Sequence, residues 1–500
     1  MPEAKRPNVL FLMTDQQRWD ALGCVNPIVK TPNLDALAAR GIRLSQAICN
    51  VPMCVPSRYS MMLGLYPSQS GVRHNTNMCN TDDSLPLPVL PQRLQELGYR
   101  TAGFGKTHWF VGSDLAPDVP VQTSRRGFEI RVQARGTDPK EMEPRATVMK
   151  LDAPETFARL GEETRPFGGG GEGILGYVGC TSEVPAAQHR EGWLTQKALD
   201  FLENERDPGR PLFLYLSFDF PHPGFNVPAG YELLYDIEDI PERPRPLWSK
   251  HRSGHAVFTR FPDEWERKTS LQRRRATLRY YALCSYVDDL FGRVIARLDR
   301  LGELDDTFII FLSDHGEMLG DRFHRFSKYS LYEGSVRVPL IVAGAGVPER
   351  KRGTVDDRHA ELVDVLPTLL RVARADVPLE LPGLDLLSDA RRPGGFAEMH
   401  GGGYEGLFGE SSQRAPTYMW RTRNWKLILH LPGEVSGVAL RLDELQGELY
   451  DLQNDPHEWI NRFDDPQCLV VQERMTRHLL MHLACAWGKH PRQAGQTDIE

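Results

Sequence analysis

The sequence predicts an α/β fold: a large, mostly parallel sheet flanked by helices, with a smaller C-terminal α+β domain. Three observations carry the prediction. Apolar runs at 8–13, 211–216 and 307–312 show no polar alternation, as strands covered on both faces do. Helical segments separate these runs, the order that builds parallel sheets. After about residue 375 the pattern shifts to short strands punctuated by turn residues.

Taken in order, residues 8–13 form the first buried strand. A helix follows over 32–40, opened by Thr31 as N-cap and Pro32, and stopped by Gly41. Pro56 suits the first turn of another helix, which residues 59–63 continue to Gly64. A helix over 91–97 stops at Gly98. The helix 193–205 leads into strand 211–216, and a long helix over 276–301, ended by Gly302, leads into strand 307–312. Residues 338–342 give a further strand. Residues 388–416, rich in Gly, Arg and Ser, read as linker or surface loops. Antiparallel strands follow at 418–421, 425–429 and 448–452, closed by a helix over 466–487. The domains are drawn as 1–385 and 386–500.

The 500 residues are 40% hydrophobic and 25% charged, the balance of a globular chain. A net charge of −7, spread along the chain, argues against nucleic-acid or membrane-surface binding. Arg273 to Arg275 with Arg279 fall on the long helix and read as its solvated face. No apolar run reaches the roughly 18 residues of a membrane helix. The N-terminal stretch Val9 to Met13 is broken by Asp15 and reads as a strand, not a signal peptide, so a cytoplasmic location is expected. The eight cysteines form no CxxC pair and read mostly as buried thiols.

In parallel sheets, ligands gather at the carboxyl ends of strands. One strand runs into Thr14-Asp15-Gln16-Gln17, another into Ser313-Asp314-His315-Gly316-Glu317. Either aspartate alone reads best as a helix or turn cap. Together the two ends would place carboxylates, an amide oxygen and an imidazole around one point. Asp15, Gln16 and Asp314 offer hard oxygens suited to Ca²⁺ or Mg²⁺, while the nitrogen of His315 leans toward Mn²⁺ or Zn²⁺.

The stretch Cys54-Val55-Pro56-Ser57-Arg58 adds a cysteine at a helix N-terminus, where free N–H groups favour an anion, with an arginine one turn on. A thiolate phosphatase would use such a cysteine. Its cradle, however, spaces cysteine and arginine by five residues, and a thiol sits oddly beside hard-cation ligands.

This pentapeptide resembles the C-x-P-S-R signature of formylglycine-dependent sulfatases in the alkaline phosphatase superfamily. The resemblance extends in order along the chain: residues 8–16, Gly105-Lys106-Thr107-His108, Pro221-His222-Pro223, residues 313–317, Phe326-Ser327-Lys328-Tyr329, and 447–456. It implies the alkaline phosphatase-like fold and hydrolysis of a small-molecule or saccharide sulfate ester. It also implies that Cys54 is converted to formylglycine by a formylglycine-generating enzyme that reads Pro56 and Arg58. One hydroxyl of the resulting hydrate would attack sulfur; loss of a proton from the other would expel sulfate, which a serine could not do.

The same resemblance implies a role for each remaining residue. Asp15, Gln16, Asp314 and His315 would hold one divalent cation with residue 54, Ca²⁺ first and Mn²⁺ second. Arg58 would hold the hydrate and the metal aspartates. Lys106 and Lys328 would neutralise sulfate oxygens. His108 would take the proton that releases sulfate, and His222 would face the leaving-group oxygen. His74 and Asn75 are weaker pocket candidates that read more readily as surface loop.

Leu63-Gly64 stands where the signature commonly has Thr-Gly, and Asp314-His315 where many members have Asp-Asn. The latter pair, with residues 106–112, leans toward the choline-sulfatase-like and phosphonate monoester hydrolase-like members. A phosphonate monoester or phosphodiester hydrolase with the same nucleophile is therefore the nearest rival. A two-zinc phosphatase lacks its Ser or Thr nucleophile, and a silent binding protein would not need these lysines and histidines. Residues 171–176 spell G-x-G-x-x-G but follow no strand, so no dinucleotide site is read there. No nucleic-acid or membrane partner is expected; a homo-oligomer is allowed.

Overall fold

The computed structural model describes residues 5–73, 75, 85–108, 126–134, 147–164, 178–244, 264–400, 416–430 and 446–487. In chain order its strands are β1 (Asn8–Thr14), β2 (Ile42–Ile48), β3 (Arg100–Gly105), β4 (Ile130–Gln133), β5 (Thr147–Val148), β6 (Cys180–Ser182), β7 (Leu212–Ser217) and β8 (Asn226–Pro228). They continue with β9 (Thr307–Ser313), β10 (Leu340–Gly344), β11 (Thr354–Glu361), β12 (Gly395–His400), β13 (Pro416–Arg421), β14 (Trp425–His430) and β15 (Gln446–Asp451). Among the described residues, nine of these form one sheet in the order β11-β2-β10-β9-β1-β7-β3-β4-β5. Its pairings are parallel except around β10, which runs antiparallel to both β9 and β2.

Alternation along the central strand explains why its sequence shows none. Val9, Phe11 and Met13 enter one apolar core, and Leu10 and Leu12 the other. Both faces are covered, so Val9 to Met13 are all apolar. Each such side chain taken from water contributes about 1.5–3 kcal/mol. The helices Cys54–Leu63 and Val365–Val372 line the first core; Pro32–Arg40, Arg190–Asn204 and Ser270–Arg300 line the second.

Several expectations need correction. β2, β3 and β11 fall outside the strands the sequence predicts, because none reads as a continuous apolar run. β11 is an edge strand with an exposed first half, and β3 carries two glycines. The phenyl ring of Phe128 lies where a Cβ on Gly103 would go, so this glycine marks close approach and not a turn. Residues 388–416 are not simply a linker: β12 lies within them as a sheet edge, with Gly395, Phe396, Ala397 and Glu398 buried. The long helix begins at Ser270, opened by a capping box between Thr269 and Gln272. Thr31 does precede its helix, but its side chain makes no cap. The Asp288 carboxylate accepts the N–H of Asn33 and of Leu34, at 3.1 and 2.7 Å.

A second sheet, β12-β13-β14-β15, is antiparallel throughout and packs beneath the helix Leu469–Trp487 around Phe396, Trp420, Leu427, Leu449, Met475 and Leu479. It joins the large sheet's side through Ala397, Met419, Ile428 and Tyr450, which enter the first core, and through ion pairs. The fully buried Lys426 reaches Glu333 at 2.7 Å and Glu458 at 2.6 Å, and Arg421 grips Glu333 at 2.7 and 2.9 Å. The Arg322 guanidinium lies over Tyr332 and Tyr450. No helix among the described residues is long and apolar enough to cross a membrane. Residues 171–176 and His74 lie outside the described residues.

Candidate active site

Four neighbouring strands release their chains at one edge of the sheet. Thr14 pairs with Ser313 and Gly105 with Ser217. Asp15 and Asp314 therefore leave the sheet side by side, as do Lys106 and the residue after Ser217, with Asp219 one step further. The parallel register thus converts separations of hundreds of residues into neighbours.

The helix Cys54–Leu63 enters this edge with every residue buried. Its first turn is held by Asn75, whose Oδ1 accepts the Val55 N–H at 3.1 Å. Gly64 ends it at φ 68°, a left-handed position where a side chain would strain. Arg58 reaches back from the helix as a buried bridge. Its Nε donates to Asp314 Oδ2 at 2.8 Å, and a terminal nitrogen to Asp15 Oδ2 at 3.2 Å. The other terminal nitrogen donates to the Lys106 carbonyl and to Ser217 Oγ, at 2.8 and 3.0 Å.

The acids converge. One ligand atom from each of Asp15, Cys54, Asp314 and His315 lies within 4.8 Å of the others, and all four residues are buried. Cys54 Sγ is 3.2 Å from His315 Nε2 and 3.8 Å from Asp15 Oδ1. His315 Nδ1 faces the Gly316 carbonyl at 3.0 Å. A carbonyl only accepts, so the proton sits on Nδ1 and Nε2 turns its lone pair to the cluster, as a metal ligand must. Two carboxylate oxygens, an imidazole nitrogen and the residue-54 position fit a divalent cation.

Cations ring the acids. Lys106 Nζ is 2.6 Å from Asp15 and 3.4 Å from Asp219. Lys328 Nζ donates to Cys54 Sγ at 2.9 Å and to Gln16 Oε1 at 2.8 Å. Burial opposes the ionisation of Asp15, yet Lys106, Lys328, His222 and Arg58 hold it well below the usual carboxylate range. Burial and Asp15 raise the Cys54 thiol, and Lys328, Lys106 and His315 outweigh them to lower it. Burial pushes His315 down, but Asp314 and Cys54 pull it above its ordinary value, so the cluster favours added positive charge. Burial likewise opposes the charge on Lys106 and Lys328, and Asp15 and Cys54 raise both.

The structure thus brings together Asp15, Gln16, Cys54, Arg58, Lys106, Asp314, His315 and Lys328. His108 follows two residues after Lys106 in left-handed backbone, at φ 59°. His222 follows the Phe220–Pro221 bond, its Nδ1 3.1 Å from the Pro223 carbonyl, and its charge bears on Asp15. Asn75 lies half-buried in a turn, and its bond to Val55 fixes the start of the helix that carries Cys54. The sequence pattern assigns no role to Asp219, Ser217 or Glu317. Asp219 could have been suspected, since it follows the strand 211–216 much as Asp15 follows 8–13.

The family model described as Sulfatase matches residues 7–375, and one described as N-sulphoglucosamine sulphohydrolase, C-terminal, matches 321–484. An arylsulfatase of Clostridium perfringens is 29% identical, the alignment covering 99% of this chain and 96% of that one. A choline-sulfatase of Rhizobium meliloti is 29% identical, covering 94% and 85%. The phosphonate monoester hydrolase of Agrobacterium radiobacter superposes with a TM-score of 0.79 at 25% identity, covering 96% of each chain.

Proposed function

The chain belongs to the sulfatase family of the alkaline phosphatase superfamily and is a sulfuric ester hydrolase, and on that premise we propose that Cys54, oxidised to formylglycine, is its nucleophile. Asp15, Asp314 and His315 would hold one divalent cation beside it, with the Gln16 amide oxygen at the margin. Hard oxygens favour Ca²⁺, and the imidazole keeps Mn²⁺ in play. The cation, when bound, lowers the pKa of the attacking hydroxyl.

The chain's own groups do the rest. Arg58 pins both aspartates, so the ligand set is formed before anything binds. Lys328, against residue 54, and Lys106, against Asp15, would neutralise the sulfate oxygens as they gather charge while the ester bond breaks. His222 is assigned to protonate the departing alcohol oxygen, and His108 to accept the proton of the second hydroxyl as sulfate leaves. Substrates are sulfate monoesters of small alcohols or sugars, in keeping with the arylsulfatase and choline-sulfatase relatives. Maturation calls for a formylglycine-generating enzyme.

The observation that carries this reading is the convergence of Cys54 with Asp15, Asp314 and His315 within 4.8 Å. Peptide mass spectrometry across residue 54, on protein from the native host, tests it. Conversion replaces sulfur by oxygen with loss of two hydrogens, so the peptide becomes lighter by about 18 Da. A thiol that stays intact and alkylates removes the nucleophile from the mechanism. The similarity to a phosphonate monoester hydrolase supports a second reading, phosphonate monoester cleavage with the same groups. Relative turnover of 4-nitrophenyl sulfate and of a phosphonate monoester with the same leaving group ranks the two.

A further inference from the structure

Glu317 is fully buried, two residues after His315, and its carboxylate is engaged by Gln16, Leu319 and Ser327. Its Oε1 accepts the N–H of Leu319 at 2.9 Å and that of Ser327. Its Oε2 accepts from the Gln16 side-chain nitrogen. Both oxygens act as acceptors, so the orientation of Gln16 is determined. Its nitrogen must face the carboxylate, and its oxygen must face the Lys328 ammonium, which only donates. The reverse orientation would set N–H against ammonium and oxygen against carboxylate.

Lys328 is held by the same carboxylate along a second path. Ser327 and Tyr329, on either side of it, have left-handed backbone at φ 87° and 64°, a strained run for residues with side chains. The Ser327 N–H bonded to Glu317 and the Met318 N–H donating to the Ser327 carbonyl at 2.9 Å hold that run in place. Arg325 adds bonds to the carbonyls of Lys328 and Tyr329, at 2.8 and 3.1 Å.

We infer, resting on the sulfatase reading above, that Glu317 is a positioning residue of the reaction. It orients the Gln16 amide and the Lys328 backbone together, and so sets the Lys328 ammonium against residue 54. A carboxylate that never meets the substrate thereby fixes the cation that does.

The test exchanges the two groups. In Glu317→Gln the amide oxygen keeps the bonds from Leu319 and Ser327, which turns an NH₂ group toward the NH₂ of Gln16. Gln16 must flip, and its nitrogen then confronts Lys328. Glu317→Gln combined with Gln16→Glu restores a donor facing an acceptor at each contact, with unchanged net charge. For 4-nitrophenyl sulfate, kcat of Glu317→Gln falls by about 100-fold with KM little changed, as for loss of one preorganised transition-state donor. The double variant recovers at least about tenfold of that loss, a coupling no simple stability defect produces. Unchanged kcat in the single variant, or no recovery in the double, overturns the inference.

Crystal structures of the unconverted proteins decide the geometry even if no ester is turned over. Lys328 displaced from Cys54 in Glu317→Gln, and returned in the double variant, supports it. Lys328 still against Cys54 in the single variant overturns it. Should Glu317→Gln not fold, Gln16→Met removes the amide bridge but spares the backbone bonds of Glu317. Lys328 unmoved there overturns the part of the inference that runs through the Gln16 amide. Inactive wild-type enzyme would count against the functional reading alone.

Discussion

Two buried groups of charges in this molecule use the same ingredients in opposite ways. Beside the antiparallel sheet, Glu333 is surrounded by Arg421, Lys426 and Arg337, and Lys426 also reaches Glu458. Burial opposes the charge on Glu333, and these cations hold it well below the usual carboxylate range. Each charge there is answered by its opposite. At the strand ends, by contrast, Asp15 and Asp314 converge on each other, on Cys54 and on His315, while Arg58, Lys106 and Lys328 stand around the outside. The sulfatase family implies a divalent metal, and these converging acids are a group that could hold it. Buried charge alone therefore marks nothing; like charges meeting mark a place for something to bind.

Substitutions sharpen that contrast. Cys54→Ala should abolish ester turnover while thermal unfolding stays near wild type, because a small side chain replaces another at the helix tip. Asp314→Asn should lower kcat/KM by more than about 100-fold, since it weakens a ligand and an Arg58 partner together. In the structural group the expected signs reverse. Lys426→Met removes the cation that Glu333 and Glu458 share and should cost about 3–5 kcal/mol in denaturant unfolding, with kcat per folded molecule unchanged. Equal loss of kcat would mean the two groups act as one.

Cation removal comes next in size. A divalent ion supplied at about 100 times its Kd stabilises the fold by about 2.7 kcal/mol. Scanning calorimetry with and without chelator should show that difference in wild type and not in Asp15→Asn.

The smallest effect is in pH. His482, packed on Phe396, Tyr66 and Trp420, is pushed down to about 4 by burial, with Arg392 adding to it. Below its ordinary 6.5 the unfolded chain gains a proton that the folded chain refuses until about 4. Stability therefore falls as pH drops through that window. His482→Phe should flatten the slope in urea titrations between pH 6.5 and 4. Part will persist, because His359 is also held at about 4 by burial with Arg421 and Arg392 beside it.

What could be read from the chain follows from where each segment ended up. β1, β7 and β9 lie inside the sheet with both faces covered, so their sequences speak plainly. β2 mixes Arg43, Ser45 and Gln46 into its run because it lies one strand from the edge, and β12 is hidden by glycines. A Cβ on Gly394 would meet the Trp420 ring, and one on Gly395 the side chain of Ile48, so closeness of packing produced a composition that looks like loop. The acids at the strand ends and the cysteine–arginine pair were legible because each lies in a short local pattern. The contact of Lys328 with Cys54, the closing of Lys106 on Asp219 and the bracing by Glu317 were not. They depend on which strands adjoin, and no local window contains that.

One reversed strand has a consequence for how this catalyst could be altered. Because β10 returns beside β9 in the opposite sense, the chain that leaves the sheet at Asp314 comes back to it at the same rim. Everything between, including His315, Glu317 and Lys328, is a tethered arch with both feet planted at the reaction centre. A parallel successor would have had to carry that stretch to the far side of the molecule. Grafting new length into the arch would therefore remodel the ceiling above the nucleophile while leaving the floor of strands untouched.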